Sequence, residues 1–133
     1  MSERKQNKKI DKRAPVIVGV GDLVDRSKED GLNPQELLAK ACEHAIQDSG
    51  IKELSNHIDY VGVVRFTVDF LTATNQSNFQ YSNFPRTLAN KLNISAKNEV
   101  YAPMGGNSPQ VLLEDALVKI STGETDCALL SGG

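Results

Sequence analysis

The segment MGGNSPQ at positions 104–110 is the part of the sequence best suited to hold a reacting group or a ligand. Gly105 and Gly106 let the main chain bend sharply or approach a ligand closely. Ser108 is placed to cap a following helix, with Pro109 at its first position. Free N–H groups and the positive end of the helix dipole would then point into the turn, where they can hold an oxyanion, a phosphate or an activated nucleophile. An ordinary, well-capped strand-to-helix turn explains the same residues equally well.

Neither glycine-containing turn of the chain is a nucleotide-binding fingerprint. No Lys follows Gly105 and Gly106, so this segment is not a P-loop. The turn at residues 19–25 lacks the pattern G-x-G-x-x-G, and a tight turn required for packing is the preferred interpretation.

The histidines and cysteines are interpreted as surface and core residues. His44, beside Glu43 on a helix, and His57, just before a strand, are expected at the surface. Cys42 lies on the apolar face of a predicted helix and Cys127 in a predicted strand, so both are expected in the core rather than as nucleophiles. Two cysteines provide neither a disulfide scaffold nor a four-ligand zinc site, so we predict no metal and a reducing, cytoplasmic location.

Two side-chain clusters have structural interpretations beside the functional ones. An acidic group lacks the spacing of a calcium loop and is interpreted as a solvated loop; its members are Asp22, Asp25, Glu29 and Asp30. An aromatic group beside an arginine has three alternative interpretations: it lines a pocket, it docks a partner, or it packs around the short helix. Its members are Phe79, Tyr81, Phe84 and Arg86.

The elements that position these residues alternate between strands and helices. Strands are predicted at residues 16–21, 58–64, 99–102 and 127–131, and helices at residues 34–49, 85–92 and 109–122. This β-α-β-α-β-α-β order predicts an α/β fold with a mostly parallel sheet and helices on both faces. The polar stretch at residues 67–82 is long for a loop inside a compact domain, and such loops are usually functional or mobile.

Local signals set the ends of the first two elements. The β-branched run at residues 16–21 closes on glycine, a pattern typical of a strand buried on both faces. Asn33, Pro34 and Glu36 form the pattern of an N-cap, a first-turn proline and a capping-box glutamate. Gly50 is placed to end this helix.

Composition and charge exclude several classes of protein. The 133 residues are 39% hydrophobic, which fits one folded domain, and no apolar run approaches the ~20 residues of a membrane span. Residues 1–13 hold six basic and two acidic side chains (net +4), and the other 120 residues hold 9 basic and 15 acidic ones (net −6). We therefore expect a flexible basic tail at residues 1–14, a domain at residues 15–133 and no nucleic-acid surface.

The sequence stops at Gly132 and Gly133, directly after a strand that looks buried. A natural domain seldom ends where its newest strand still needs covering. We therefore expect this chain to be the front part of a longer protein, ending before the last strand of its domain.

Four segments in matching order resemble the amino-terminal half of the thiolase superfamily. They are PVIVGVG at residues 15–21, IDYV at 58–61, MGGNSPQ at 104–110 and GETDCALLSGG at 123–133. The chain is most similar to sequences described as acetyl-CoA acetyltransferase-like or as sterol-carrier-type thiolase-like. The resemblance spans residues 15–133, and MGGNSPQ is its most specific part.

The resemblance implies a fold, a ligand and a partner. Thiolases join or cleave acyl groups on coenzyme A, so coenzyme A or acyl-CoA is implied as the substrate or ligand, with no covalently bound cofactor. The family's fold has two similar halves. Its members are usually dimers that associate through the edge of the third strand, which here is Glu99 to Ala102. In the family a Cys at the start of the helix after strand three accepts the acyl group, and a His and a second Cys come from the carboxyl-terminal half.

The chain departs from the family at the nucleophile. The family's elbow reads Cys-x-Ser-Gly-x-x-Ala, and counting back from Gly123 puts Gly106 at the Cys position, Ser108 at the Ser and Pro109 at the Gly. Glycine has no attacking side chain, and Ser108, the weak substitute, has no histidine near it in sequence. The substrate-binding residues implied by the resemblance are Gly105, Gly106, Asn107 and Ser108.

Three hypotheses follow for the function. The preferred one is a thiolase-like acyl-CoA-handling domain that binds a thioester at the elbow, with acyl transfer or binding alone as its role. The second is a non-catalytic dimerisation or interaction module. The third is a small phosphate- or nucleotide-binding domain that uses the same helix terminus.

Overall fold

A three-stranded parallel sheet forms the centre of the computed structural model, which describes residues 9–27, 31–66 and 83–133. The strands are β1 (Tyr60–Val64), β2 (Asn98–Ala102) and β3 (Ala128–Ser131), in the order β2-β1-β3. Both neighbours are parallel to β1, with Tyr60 opposite Asn98 on one side and Ala128 on the other. The predicted strands around residues 60, 100 and 129 and their parallel arrangement are thereby confirmed.

Three helices connect and cover the strands: α1 (Pro34–Asp48), α2 (Phe84–Lys91) and α3 (Ser108–Thr122). A short 3₁₀ helix at Leu54–Asn56 leads into β1. The helix α1 begins at the predicted capping box, since the Asn33 side chain accepts from the Glu36 N–H at 2.9 Å and Glu36 accepts from the Asn33 N–H at 3.2 Å. At the other end of the chain α3 stops at Gly123, whose φ of 80° is the left-handed conformation that favours glycine.

The helices lie on both faces of the sheet because side chains alternate along each strand. Val61 and Val63 point to the face covered by α1 and α2, where Leu38 and Leu88 are buried beside them. Tyr60 points to the opposite face, which is covered by α3 and contains a second cluster with Ala102, Leu112 and Ala116. The structure therefore has the predicted α/β arrangement in three layers.

The run at residues 16–21 does not form the strand predicted for it. Its main chain is neither helix nor strand, and Val16 and Ile17 are 75% and 80% exposed. It lies against α1, where a Cβ on Gly19 would come within 2.2 Å of the Ala45 carbonyl oxygen. The prediction of a strand buried on both faces is wrong, because within the described residues no neighbouring strand pairs with this run. The polar stretch at residues 67–82 and most of the basic tail lie outside the described residues.

Candidate functional site

The turn at residues 103–107 connects the carboxyl end of β2 to the start of α3. In parallel α/β sheets ligands bind beyond the carboxyl ends of the strands, and this turn lies at that edge. Gly105, Gly106 and Asn107 are exposed, while the flanking Ala102 and Ser108 are buried. The turn is thus an open loop held at both ends by the core.

Ser108 fixes the shape of this turn from within. Its side chain is only 3% exposed, and its hydroxyl donates to the Pro103 carbonyl oxygen at 2.5 Å. Its N–H donates to the Gly105 carbonyl oxygen at 3.0 Å. The prediction that Ser108 caps the helix is wrong by one residue, because Asn107 occupies the N-cap position and Ser108 is the first helical residue. The Asn107 side chain makes no capping hydrogen bond. A buried hydroxyl that donates to a carbonyl is a structural tie and a poor nucleophile.

The two glycines of the turn differ in the space around them, Gly106 being open and Gly105 closely approached by side-chain oxygens. A Cβ on Gly106 would meet no atom within 4 Å, and one on Gly105 would lie 3.2 Å from the Asn107 side-chain oxygen. Positive φ values among the described glycines occur at Gly50 and Gly123, so neither glycine of the turn is needed for a left-handed main chain. Because Gly105 and Gly106 have no side chains, the main chain of the turn is uncovered and a ligand can contact it directly.

Main-chain donors remain available at the start of α3. The Val111 N–H donates to the Asn107 carbonyl oxygen, the Ser108 N–H is used inside the turn, and Pro109 has none. Among the described residues no acceptor pairs with the N–H groups of Asn107 and Gln110. Such orphan donors at a helix N-terminus attract negative charge or a polarised carbonyl oxygen.

Arg65 is a cationic residue at this edge that our sequence analysis did not single out. It follows β1 directly, its N–H donates to the Ala102 carbonyl oxygen at 3.2 Å, and its guanidinium lies 4.7 Å from the centroid of the Tyr101 ring. The side chain is exposed, so the charge is accessible. Its position immediately after a predicted strand was the available signal, because such residues lie at the ligand edge of a parallel sheet.

The histidines and cysteines lie where they were predicted. His44 and His57 are exposed, and the His44 Nδ1 lies 3.0 Å from the Asp22 carbonyl oxygen. Cys42 is 3% exposed, and burial raises the pKa of its thiol to about 11. Burial, with nearby carboxylates, also raises the pKa of the half-buried Cys127. Neither thiol is a ready nucleophile at neutral pH.

The acidic and aromatic clusters serve local structure where they are described. Asp25 accepts hydrogen bonds from Ser27 and from the Leu32 N–H, and these bonds lower its pKa to about 2. Phe84 is 1% exposed and packs 5.0 Å from the Phe66 ring. Of the other members, Asp22 and Arg86 are exposed, while Glu29, Asp30, Phe79 and Tyr81 lie outside the described residues.

The turn at residues 19–25 is a packing feature, as predicted. A Cβ on Gly21 would lie 2.4 Å from the Ala41 carbonyl oxygen, so this glycine allows the chain to touch the α1 main chain.

Across residues 9–27, 31–66 and 83–133, no helix has both the length and the apolar composition needed to cross a membrane.

A solved structure resembles this chain along almost its whole length. It is a monomeric SCP2-thiolase-like protein, type 1, from Mycobacterium smegmatis, with 31% sequence identity over 92% of this chain and a TM-score of 0.74. This chain spans 24% of the length of that protein. No protein-family model and no curated protein matches the chain. The chain, with its parallel strands and two helical layers, therefore forms part of a thiolase-like fold.

Proposed function

We propose that this chain is part of a thiolase-like protein that handles acyl-CoA, by acyl transfer or by binding alone, at the turn between β2 and α3. The observation that carries the proposal is the 31% identity over 92% of the chain to a protein described as SCP2-thiolase-like. Thiolases act on acyl groups carried by coenzyme A, so the resemblance supports acyl-CoA as the proposed class of ligand. A cytoplasmic location and a role in lipid metabolism belong to the same proposal.

The turn supplies donors suited to a thioester carbonyl. The N–H groups of Asn107 and Gln110 have no acceptor among the described residues, and they lie at the positive end of the α3 dipole. Donors fixed in this way stabilise a carbonyl oxygen as it gains negative charge. The exposed Gly105 and Gly106 present no side chain that would keep an acyl group away.

Arg65 supports binding of the charged part of the ligand. Coenzyme A carries phosphates, and an arginine guanidinium binds phosphate oxygens through two parallel hydrogen bonds. The guanidinium is exposed beside Tyr101 at the carboxyl edge of the sheet, and among the described residues no carboxylate forms an ion pair with it. We assign it to the phosphates of the ligand.

Gly106 limits what the turn can do alone. A glycine at the family's nucleophile position cannot form a thioester with the acyl group, and the Ser108 hydroxyl is buried and bonded to Pro103. The described residues therefore fit binding and polarisation of the carbonyl better than a covalent step. Acyl transfer, if the whole protein performs it, requires a nucleophile from another part of the polypeptide or from the second substrate.

Calorimetric titration with acetyl-CoA tests the proposal. At Gly106, which is exposed, a Cβ meets nothing within 4 Å, so we expect Gly106→Phe to preserve the fold while its ring blocks the ligand. We expect the affinity to fall at least about tenfold, or ~1.4 kcal/mol. Asn90→Phe, at an exposed position of α2, adds the same ring elsewhere and should leave binding unchanged.

Two results would contradict the proposal. One is the absence of any heat or thermal shift with acetyl-CoA or coenzyme A; the other is equal affinity of the wild type and Gly106→Phe. Binding of ATP without binding of coenzyme A would instead favour the nucleotide-binding hypothesis. Arg65→Ala should weaken binding most at low ionic strength, because salt screens an exposed charge.

A second candidate function is a homodimer or interaction module built on the edge of β2. This strand is terminal in the described sheet, so within the described residues no strand pairs with its outer edge. The structurally similar protein is described as monomeric, which weighs against the homodimer. Sedimentation of the chain over a range of concentrations decides between the monomer and the homodimer. Asn98 and Ala102 bond toward β1, so the main chain of Glu99 faces the outer edge, and a dimer that Glu99→Pro abolishes would support pairing at Asn98–Ala102.

A further inference from the structure

A buried hydrogen bond links α3 to the central strand of the sheet. Tyr60, at the start of β1, is fully buried, and its hydroxyl donates to Asp115 Oδ2 at 2.7 Å. Asp115 is half-buried on α3. Burial raises the pKa of Tyr60 above its usual range, and the hydrogen bond to the Asp115 carboxylate raises it further. The phenol therefore keeps its proton at neutral pH and remains a donor.

The packing of α3 on the sheet is otherwise apolar where the structure describes it. Leu112 lies against Gly62, where a Cβ would come within 2.8 Å of Leu112 Cδ1, and Ala116 is buried in the same cluster. Such contacts are non-directional, so they hold the helix on the sheet without a preferred position along the strands. Among the described residues the bond from Tyr60 to Asp115 is the one side-chain hydrogen bond between α3 and a strand.

The two elements that this bond joins carry the two parts of the proposed acyl-CoA site. The strand β1 begins with Tyr60 and leads directly into Arg65, which we assign to the phosphates. The start of α3 presents the N–H donors of Asn107 and Gln110, and Asp115 lies about 12 Å from Asn107 along the helix axis. One ligand can reach both parts only if α3 keeps a fixed position relative to β1.

A polar pair adds direction to this packing rather than the greatest stability. Two apolar side chains of similar volume would pack the helix on the sheet at least as well, because a half-buried carboxylate loses part of its hydration. An O–H···O bond, in contrast, extends only to about 3.0 Å between donor and acceptor, so a displacement of about 1 Å breaks it. The bond between Tyr60 and Asp115 is therefore suited to fixing position.

We propose that Tyr60 and Asp115 are positioning residues of the acyl-CoA site. Their hydrogen bond holds α3 at the place along β1 where one ligand reaches both Arg65 and the donors of the turn. Tyr60 is fully buried and acts through the helix, without touching the ligand. This role rests on the proposed function, and it adds to that function the element that sets the spacing of the site.

Calorimetric titration with acetyl-CoA tests the role in single variants. Tyr60→Phe keeps the ring and removes the donor, and we expect the affinity to fall about fivefold, the scale of one lost hydrogen bond. Asp115→Asn retains an oxygen that accepts from the hydroxyl, so it should bind nearly as well as the wild type. Ser121→Ala removes a hydroxyl that bonds within α3, to the Leu117 carbonyl oxygen at 2.7 Å, and as the matched control it should leave the affinity unchanged.

An apolar pair separates position from stability. In the double variant Tyr60→Phe/Asp115→Leu neither side chain is left without a partner, so the midpoint of thermal unfolding should return to that of the wild type or exceed it. The hydrogen bond is still absent, and we therefore expect the affinity for acetyl-CoA to stay low. A bond that acted only through stability would give recovery of both quantities.

Two further readouts report the spacing itself. Arg65→Ala should weaken binding less in Tyr60→Phe than in the wild type, because a ligand on the displaced helix no longer reaches both parts of the site; a purely structural role would give additive effects. In the ligand-free protein, the amide NMR signals of Asn107 and Gln110 should shift in Tyr60→Phe. Asp115→Asn should leave these signals close to their wild-type positions.

Three results would overturn the proposal while the wild type binds acetyl-CoA. They are equal affinity of the wild type and Tyr60→Phe, recovery of affinity in the apolar pair, and unchanged Asn107 and Gln110 signals in ligand-free Tyr60→Phe. Absence of binding by the wild type is a different outcome, because it would contradict the proposed function and this role together.

Discussion

The run VIVGV at residues 16–20 and β1, whose sequence is YVGVV, have nearly the same composition and opposite environments. Val61 and Val63 of β1 are fully buried, whereas Val16 and Ile17 are 75% and 80% exposed. Both runs are β-branched and contain one glycine. The difference lies in their neighbours: β1 has a parallel strand on each side, and within the described residues the first run has none. Strand propensity is thus a statement about available neighbours as much as about the residues themselves.

The glycine in each run brings a helix close, but in different ways. A Cβ on Gly62 would lie 2.8 Å from Leu112 Cδ1, so this glycine makes room for a side chain of α3. A Cβ on Gly19 would lie 2.2 Å from the Ala45 carbonyl oxygen, so that glycine makes room for the α1 main chain itself. The first run is therefore attached to a helix instead of a strand, and its valines remain uncovered.

The largest difference is expected on truncating one apolar side chain in each run. Val61→Ala removes methyl groups from a fully buried position and should lower the free energy of unfolding by about 2–3 kcal/mol, from lost transfer energy and the cavity left behind. Ile17→Ala removes exposed groups and should change it by less than about 0.5 kcal/mol. Urea unfolding of both variants measures this, and equal losses would mean that the first run is packed in solution.

A smaller effect is expected from a methyl group added to Gly19. In Gly19→Ala the new carbon meets main-chain atoms of α1, which cannot rotate away, so the segment must shift or detach at a cost of about 1–3 kcal/mol. Gly106→Ala, where the methyl group meets nothing, is the matched control. Thermal unfolding compares the two, and an unchanged midpoint for Gly19→Ala would show that the segment does not rest on α1.

The parts of the fold that depend on local chemistry were predictable from the sequence. The capping box at Asn33 and Glu36 and the left-handed glycine at Gly123 act over a few residues, and both are present as predicted. Periodic apolar residues also located α3, because a buried stripe with Leu112 and Ala116 is a property of one helix.

The parts that depend on distant partners were not predictable. Nothing in residues 16–21 says whether a strand will lie beside them, so their exposure required the structure. At the turn, Asn107 and Ser108 are both good capping residues, and the deciding contact is the bond from the Ser108 hydroxyl to Pro103, five residues away. Arg65 was missed because a single arginine after a strand is common. Its contact with Tyr101 links the end of β1 to β2, and this pairing of strands is not visible in the sequence.

A modest local effect is expected when the polar contact that fixes the first run is removed. The Val20 N–H donates to the Asp48 carboxylate, which lies at the carboxyl end of α1, where the helix dipole disfavours a negative charge. In Asp48→Ala the lost bond and the relieved repulsion partly cancel, so global stability should change by less than about 1 kcal/mol. The Val20 amide should nevertheless exchange several times faster, which NMR can follow. Glu43→Gln, an exposed charge on the same helix, is the control, and unaltered exchange in Asp48→Ala would show that the bond does not hold the run.

The smallest effect is expected from acid at the loop that joins the first run to α1. Asp25 accepts from the Ser27 hydroxyl, the Leu32 N–H and the Ser27 N–H, and these bonds lower its pKa from 3.8 to about 2. A carboxyl whose pKa is lower in the folded state stabilises that state fully above pH ~4, and this contribution is lost as the pH falls through the folded value. The Ser27 and Leu32 amide shifts should therefore titrate together near pH 2 in the wild type and stay constant in Asp25→Asn. A midpoint near 3.8 would mean that these bonds are not formed in solution.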